Sequence, residues 1–385
     1  MRVWAAAVRL ARQDADGGQP SVGRGDGAPM DQQKAREIKS QLADYARELA
    51  ERSGVAIEAH DVPDPAEAVR APTLAIGLAP RDDGGYAIAV RYRLGVPTAR
   101  SIARKVASEA GDTVDVRRTG RIRPLAADPG PGGAGTDRPG VRPPVVTAYA
   151  TGETGRVRPL RPGVSVAHVD VTAGTLGAFV RVAQPPVAGA DVASVYALSN
   201  WHVLAGSTSA RVGDVVVQPG PADGGGAPDD RVGTLAALVP LEAGVTQTVD
   251  AAVALLDDPD VDLEYPVGRV TRTAAALGGE AVGKSGRTTG VTAGRVTAIE
   301  LDDVVVGYGG GLGALRFDDQ IEVESTGDGP FSRGGDSGSL VYREDGVAIG
   351  LLFAGSETGG ANGTGLTYCN PVETVLERLG ATLLD

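Results

Sequence analysis

Residues 331–344 read "FSRGGDSGSLVYRE" and set one serine, Ser337, among Gly334, Gly335 and Gly338, directly ahead of a run of strand-forming residues. Glycine lets a backbone turn sharply, so the N–H groups of Gly335 and Ser337 can converge on a developing oxyanion. A Gly-Asp-Ser-Gly tetrapeptide also suits a plain hairpin turn. Two further segments decide between the readings. In "YALSNWHVLAG" (196–206), His202 stands at a turn directly after a strand, and in "TVDAAVALLDD" (248–258), Asp250 begins an apolar strand rather than ending a polar loop. A serine hydroxyl is a poor nucleophile until an imidazole takes its proton. That imidazole in turn needs a buried carboxylate to fix its tautomer and balance its charge.

Around these segments, from Val164 to Leu366, the chain runs in short β-rich stretches such as "VGDVVVQ", "GRVTAIEL" and "VAIGLLFAG", parted by Gly, Pro and Asp turns. This is the pattern of a sandwich or a pair of barrels. The close, "CNPVETVLERLG" (369–380), predicts a terminal helix with Asn370 as N-cap, Pro371 at its first position, Glu373 completing a capping box and Gly380 past its end.

The order His202, Asp250, Ser337, with "GDSG" around the serine, resembles the chymotrypsin-fold (trypsin-like) serine peptidases. Subtilisin-like enzymes run Asp, His, Ser and α/β-hydrolases run Ser, Asp, His. More narrowly, "RPLRPGVSVAHVDVTAGTLG", "LSNWHVLAG", "VQPGPADGG", "VGKSGRTTG" and "GGDSGSLVY" resemble a bacterial group of trypsin-like proteins related to the plant narrow-leaf proteins. The resemblance implies a mainly β fold of two antiparallel β-barrels with a C-terminal helix over residues 164–385. It implies a serine endopeptidase acting on polypeptide, with no metal and no cofactor, through His202, Asp250 and Ser337, and an oxyanion hole from the N–H groups of Gly335 and Ser337. The implied substrate pocket is lined by Phe331 and Ser332 ahead of the serine and by Phe353, Ala354 and Gly355 on a following strand. Phe331 stands where trypsin-type enzymes carry an acidic residue, so an apolar or small side chain is expected there rather than Lys or Arg. The resemblance further implies that Asp336 pairs with a cation to shape the oxyanion loop, and Arg333 is one candidate. Two other functions stay open: a catalytically silent trypsin-like binding module, and a self-processing protease that cuts its own linker. His168 reads as a surface or barrel-rim residue and Cys369 as a packed strand residue.

The stretch "GGEAVGKS" (278–285) has the spacing of a phosphate-binding P-loop. Such a loop works only between a buried strand and a helix that aims its N–H groups at phosphates. Upstream "TRTAAAL" is no buried strand, and downstream "GRTTGVTAGRV", rich in Gly and Thr, opposes a helix. The segment reads as strand, turn, strand, with "GRTTG" in a hairpin of the second barrel and no role for Lys284 in the chemistry.

Ahead of the barrels, residues 30–122 predict a small α+β domain. Ile38, Leu42, Tyr45 and Leu49 lie at helical spacing, "TLAIGLAP" and "YAIAVRYRL" flank the turn "RDDGG", a second helix covers about Thr98 to Ala110, and "TVDVRR" is a strand. This domain reads as a recruitment module for a protein partner or as a regulator. His60 within it reads as solvated. Residues 123–163, with "PLAADPGPGGAGTDRPGVRPP", read as a Pro/Gly-rich linker, and residues 1–29 as a disordered tail. The 385 residues carry 37 basic against 49 acidic side chains, net −12, which repels nucleic acid and anionic membranes. One cysteine excludes an internal disulfide, and the lack of a secretory h-region makes the cytoplasm the expected location.

Overall fold

The computed structural model describes residues 29–52, 74–93, 95–125, 150–309 and 311–385. The expected tail, but for Pro29, lies outside the described residues, as do His60 and the middle of the expected linker.

Helix α1 (Gln32–Arg52) follows Asp31, whose carboxylate accepts the Lys34 N–H at 2.8 Å, and it buries Ala35, Leu42, Ala46 and Leu49 along one face. Strands β1 (Leu74–Pro80) and β2 (Tyr86–Arg93) pair antiparallel from Leu74↔Tyr92 to Pro80↔Tyr86, the predicted hairpin. Helix α2 (Pro97–Ala110) leads to β3 (Val114–Thr119), which lies parallel to β2. The sheet does not stop at β1, however, as the barrels show.

After β4 (Arg123–Pro124), the first barrel is built from β5 (Ser165–His168), β6 (Gly174–Thr175), β7 (Ala178–Val182), β8 (Tyr196–Ser199), β9 (Val215–Val217), β10 (Arg231–Leu238) and β11 (Ala252–Leu256). A four-residue helix, α3 (Trp201–Leu204), follows β8. The stretch from β6 through β7 pairs with β5 at its start and β8 at its end. The sequence β8, β11, β10, β9, β5 then curls back toward it as a half-barrel.

In the second barrel, β12 (Ala281–Gly286) pairs antiparallel with β13 (Gly290–Asp302), so the P-loop spacing belongs to a hairpin, as read. Strand β14 (Val304–Gly309) continues beyond the ring. The ring itself passes from β13 to β15 (Gln320–Ser325), across to β18 (Leu366–Pro371) and β17 (Val347–Ser356), and through β16 (Leu340–Tyr342) back to β12. The chain ends in α4 (Val372–Leu379), closed by Gly380 in the left-handed region, and β19 (Ala381–Leu383), which returns to the first barrel at β7. The helix start differs from expectation. Asn370 still belongs to β18 and makes no cap, because its side chain is drawn inward to the backbone of Asp250.

Strand β13 also joins the N-terminal segment to the barrel: its far end pairs with β1 at Ile76↔Asp302 and Leu78↔Ile299, so one sheet runs from the barrel through β1 and β2 to β3. At this seam Arg91 of β2, 1% exposed, reaches the fully buried Glu322 of β15 at 2.7 Å and Asp115 at 2.9 Å. Glu322 also accepts the Thr297 hydroxyl at 2.8 Å. Removing one partner of such a pair leaves a charge buried without compensation. Arg91→Ala is therefore expected to lower the unfolding free energy by about 3–5 kcal/mol, read by urea titration of the full chain.

Candidate active site

His202, Asp250 and Ser337 come from three different elements. His202 rides on α3, Asp250 sits immediately before β11, and Ser337 lies in the loop between β15 and β16. His202 Nδ1 is 2.5 Å from Asp250 Oδ2, and Asp250 Oδ1 accepts the His202 backbone N–H at 3.2 Å. A carboxylate only accepts hydrogen bonds, so Nδ1 carries the ring proton and Nε2 is left with the lone pair.

Asp250 is itself held on every side. Its N–H donates to Asn370 Oδ1 at 2.9 Å, its carbonyl accepts Asn200 Nδ2 at 2.7 Å, and Asn370 Nδ2 is anchored on Gln320 Oε1 at 2.7 Å. Tyr308 from β14 donates its hydroxyl to Asp250 Oδ2. Burial, together with the neighbouring carboxylate, pushes the Tyr308 phenol well above its ordinary range, so it stays a donor. Sequence reasoning missed Asn200, Asn370 and Tyr308. Asn200, two residues before His202, was the most accessible of them, whereas the other two come from distant strands.

Ser337 is fully buried, and its Oγ donates to the Phe353 carbonyl at 3.1 Å. His202 Nε2 is buried with no hydrogen-bond partner among the described residues. The serine loop is pressed against the first barrel: the Thr175 N–H donates to the Ser337 carbonyl at 2.7 Å, and a Cβ on Gly338, at φ 93°, would lie 2.1 Å from Ser199 Oγ. Gly335 has φ 98°, and a Cβ there would meet Thr288 Oγ1 at 2.3 Å, so both positions require glycine.

The buried carboxylate of Asp336 organises this loop. Its Oδ1 accepts the N–H groups of Thr288 at 2.8 Å and Thr289 at 3.0 Å, and its Oδ2 accepts the Thr289 hydroxyl at 2.8 Å. The cation beside it is Lys284, fully buried, with Nζ 3.7 Å from Oδ2 and further bonds to Thr289 Oγ1 at 2.5 Å and the Gly290 carbonyl at 3.0 Å. Burial pulls the Lys284 ammonium below its ordinary pKa, and Asp336 opposes that shift. This corrects two expectations. Arg333 meets Asp336 through its backbone N–H, at 2.8 Å, and not as the counterion. Lys284, for which sequence gave no role, sits at the centre. A buried loop needs a cation that can be desolvated on the same hairpin as its N–H donors, and Lys284 lies on the strand entering that hairpin. The next residue after the strand, Arg287, bridges to Asp223 of the first barrel.

The five expected pocket residues lie on two segments, Phe331 and Ser332 ahead of the serine and Phe353, Ala354 and Gly355 on β17. Phe331 is buried against β13, with Thr292 donating to its carbonyl at 2.8 Å, and the hydroxyls of Ser332 and Thr367 share a hydrogen bond of 2.6 Å. Phe353, Ala354 and Gly355 lie on β17 and face the chain's own β4, antiparallel, with Pro124 opposite Ala354 and Arg123 opposite Gly355. Leu125 follows. Its N–H donates to the Phe353 carbonyl at 3.1 Å, and its own carbonyl accepts the N–H of Gly335. The Leu125 side chain is buried in the same apolar cluster as Phe331, and a Cβ on Gly355 would stand 3.0 Å from its Cδ1. His168 is buried at the rim of the first barrel, with Nε2 3.3 Å from Asp214. Cys369 is fully buried in β18, where burial pushes its thiol well above the ordinary range.

No protein-family model matches this chain, and no curated protein matches it. Among solved structures it is similar to Thermobifida fusca protease A, at 19% identity and TM-score 0.40 over 58% of this chain and 98% of that one. It is also similar to a glutamic acid specific serine protease described as using a histidine triad in substrate binding, at 23% identity and TM-score 0.38 over 58% of this chain and 100% of that one. A third is a Cellulomonas bogoriensis chymotrypsin, at 20% identity and TM-score 0.39 over 58% and 98%.

The environment of Lys284 yields a test. With Lys284→Ala the Asp336 charge loses its buried counterion, and the loop that aims the Gly335 N–H loses its anchor. Labelling of Ser337 by a fluorophosphonate is expected to slow on the order of 10²-fold, the scale of losing one aligned oxyanion donor. Arg333→Ala, which keeps the backbone N–H, is expected to label within a few-fold of wild type.

Proposed function

We propose that the chain is a serine endopeptidase, with Ser337 as nucleophile, His202 as general base and then acid, and Asp250 holding the imidazole. The observation that carries this reading is the buried His202–Asp250 pair beside the Gly-lined serine loop. A carboxylate and an imidazole withdrawn from water are costly unless they are paired, and the lone pair at Nε2 is left free to take a proton. In the reaction Ser337 Oγ leaves the Phe353 carbonyl for Nε2 and attacks the substrate carbonyl, whose oxygen is received by the N–H groups of Gly335 and Ser337. The protonated imidazole then hands its proton to the leaving amine, and water resolves the acyl-enzyme by the same path in reverse. Phe331, Ser332, Phe353, Ala354 and Gly355 receive the residue ahead of the scissile bond. An apolar lining with no carboxylate supports a preference for Leu, Met or Phe over Lys and Arg. The motifs shared with the bacterial trypsin-like group related to the plant narrow-leaf proteins support placing the chain there.

The engagement of Ser337 Oγ by the Phe353 carbonyl favours a second reading, a silent trypsin-like module, and one set of variants separates the two. Ser337→Ala and His202→Ala are each expected to lower polypeptide hydrolysis about 10⁶-fold, with the double variant little worse, because the residues act as a unit. Asp250→Asn, which presents the wrong imidazole tautomer, is expected to cost on the order of 10⁴-fold. Hydrolysis by wild type that Ser337→Ala retains in full would support the silent module.

A further inference from the structure

Strand β4 and Leu125 lie in the cleft as a substrate would. Three features coincide there. The strand Arg123–Pro124 pairs antiparallel with Ala354 and Gly355, the Leu125 N–H is bound by the Phe353 carbonyl, and the Leu125 carbonyl is turned onto the N–H of Gly335. Its side chain fills the space beside Gly355, within the apolar cluster of Phe331. The approach to the cleft is equally tied down, with the Ile122 carbonyl accepting the Gly307 N–H at 3.1 Å and the Gly120 N–H donating to Thr358 at 2.8 Å. A polar backbone laid over a protein groove in register, with an apolar anchor at its end, is recognition by strand addition. Leu125 is the residue whose carbonyl reaches the expected oxyanion donor.

We propose that Leu125 is the acyl donor of a self-cleavage, and that the bond joining it to Ala126, the next residue in sequence, is the enzyme's own first substrate. This rests on the peptidase reading above. Ser337 Oγ bonds to the Leu125 carbonyl carbon while its proton passes to His202. The carbon–nitrogen bond to Ala126 breaks, and that amine takes the proton. Water then attacks the ester, leaving a Leu125 carboxylate and restoring the serine hydroxyl. The cleaved N-terminal part stays seated through the β1–β13 pairing and the Arg91–Glu322 pair, so its new C-terminus fills the cleft as a bound product. The substrate class follows from the seated segment: an extended polypeptide with an apolar, leucine-sized residue ahead of the cut, tolerating proline one residue before it.

The test uses the full chain, wild type, Ser337→Ala and Leu125→Asp, followed by intact mass, N-terminal sequencing and fluorophosphonate labelling. The expected result is a wild-type fragment beginning at Ala126 that co-elutes with the N-terminal part on size exclusion, while Ser337→Ala stays uncut. Leu125→Asp, with a charge in an apolar seat, is expected to stay uncut at this bond and, its cleft vacated, to label about ten-fold or more faster than the cut wild type, whose cleft its own product fills. A wild-type chain that labels with fluorophosphonate yet stays whole, or is cut elsewhere, overturns the self-cleavage and leaves the peptidase reading standing. Failure of both wild type and Leu125→Asp to label or to cut any polypeptide overturns the peptidase reading itself. Cleavage at Ala126 in Ser337→Ala would assign the cut to another protease and overturn the proposal.

Discussion

The carboxylate of Asp336 is the constraint around which the second barrel meets the first. It is fully buried, and an ionised carboxylate out of water persists only where donors and a cation surround it. Thr288, Thr289 and Lys284 meet that demand from one hairpin, β12–β13, and the Arg333 N–H meets it from the loop itself. Because those donors have fixed positions, the residues on either side of Asp336 have fixed positions too. Gly335 is turned so that its N–H points into the cleft, and Ser337 is held against the strand that bounds it. A surface ion pair would not achieve this, since exposed pairs contribute little and hold no single geometry.

The same hairpin tip ties the barrels together. The residue just ahead of Thr288, Arg287, sends its guanidinium to Asp223 and its N–H to the Thr175 hydroxyl, at 3.0 Å, and that hydroxyl donates to the Gly335 carbonyl at 2.8 Å. The joint is therefore continuous from Asp223 through Arg287 and Thr175 to the serine loop. On the far side, Asn370 of the second barrel fixes the backbone of Asp250 in the first, and Tyr308 reaches the same carboxylate from β14. His202 and Ser337 belong to different barrels, so their relative placement depends on these cross-barrel bonds rather than on either sheet alone.

The β architecture, the N-terminal hairpin and the hairpin that carries the P-loop spacing were legible because they depend on local rules. Alternation marks strands, Gly and Asp mark turns, and the order of His202, Asp250 and Ser337 separates architectures. The partners of buried charges were not legible, because they are set by which strands become neighbours. Lys284 illustrates the difference. Its motif spacing suggested phosphate, its context rejected phosphate, and nothing in the linear sequence indicated that its strand would face the loop of Asp336. Asn370 failed for a related reason: as a residue before Pro371 it satisfies every local rule for a helix cap, yet the buried N–H of Asp250 competes for its side chain and wins. Arg333 was nearest to Asp336 in sequence, but a flexible exposed arginine cannot replace an ammonium already desolvated on the adjoining hairpin.

Leu125 shows how composition can mislead in the other direction. Its stretch is dense in proline and glycine, which predicts chain free of regular structure, and Pro124 has no N–H to give to a ladder. In an edge segment laid into a cleft, that missing donor costs nothing on the side turned away from β17, and Arg123 and Leu125 on either side keep the segment in place. One apolar side chain, seated beside a glycine that leaves it room, is then enough to give the segment a register. The register matters because slipping by one residue would put Pro124 where the Leu125 N–H meets Phe353, and proline cannot make that bond. The segment is thus fixed in place by the residue least suited to a strand. The β1–β13 seam holds its upstream end, so the cleft and the N-terminal sheet constrain each other through a short stretch of chain that belongs to both.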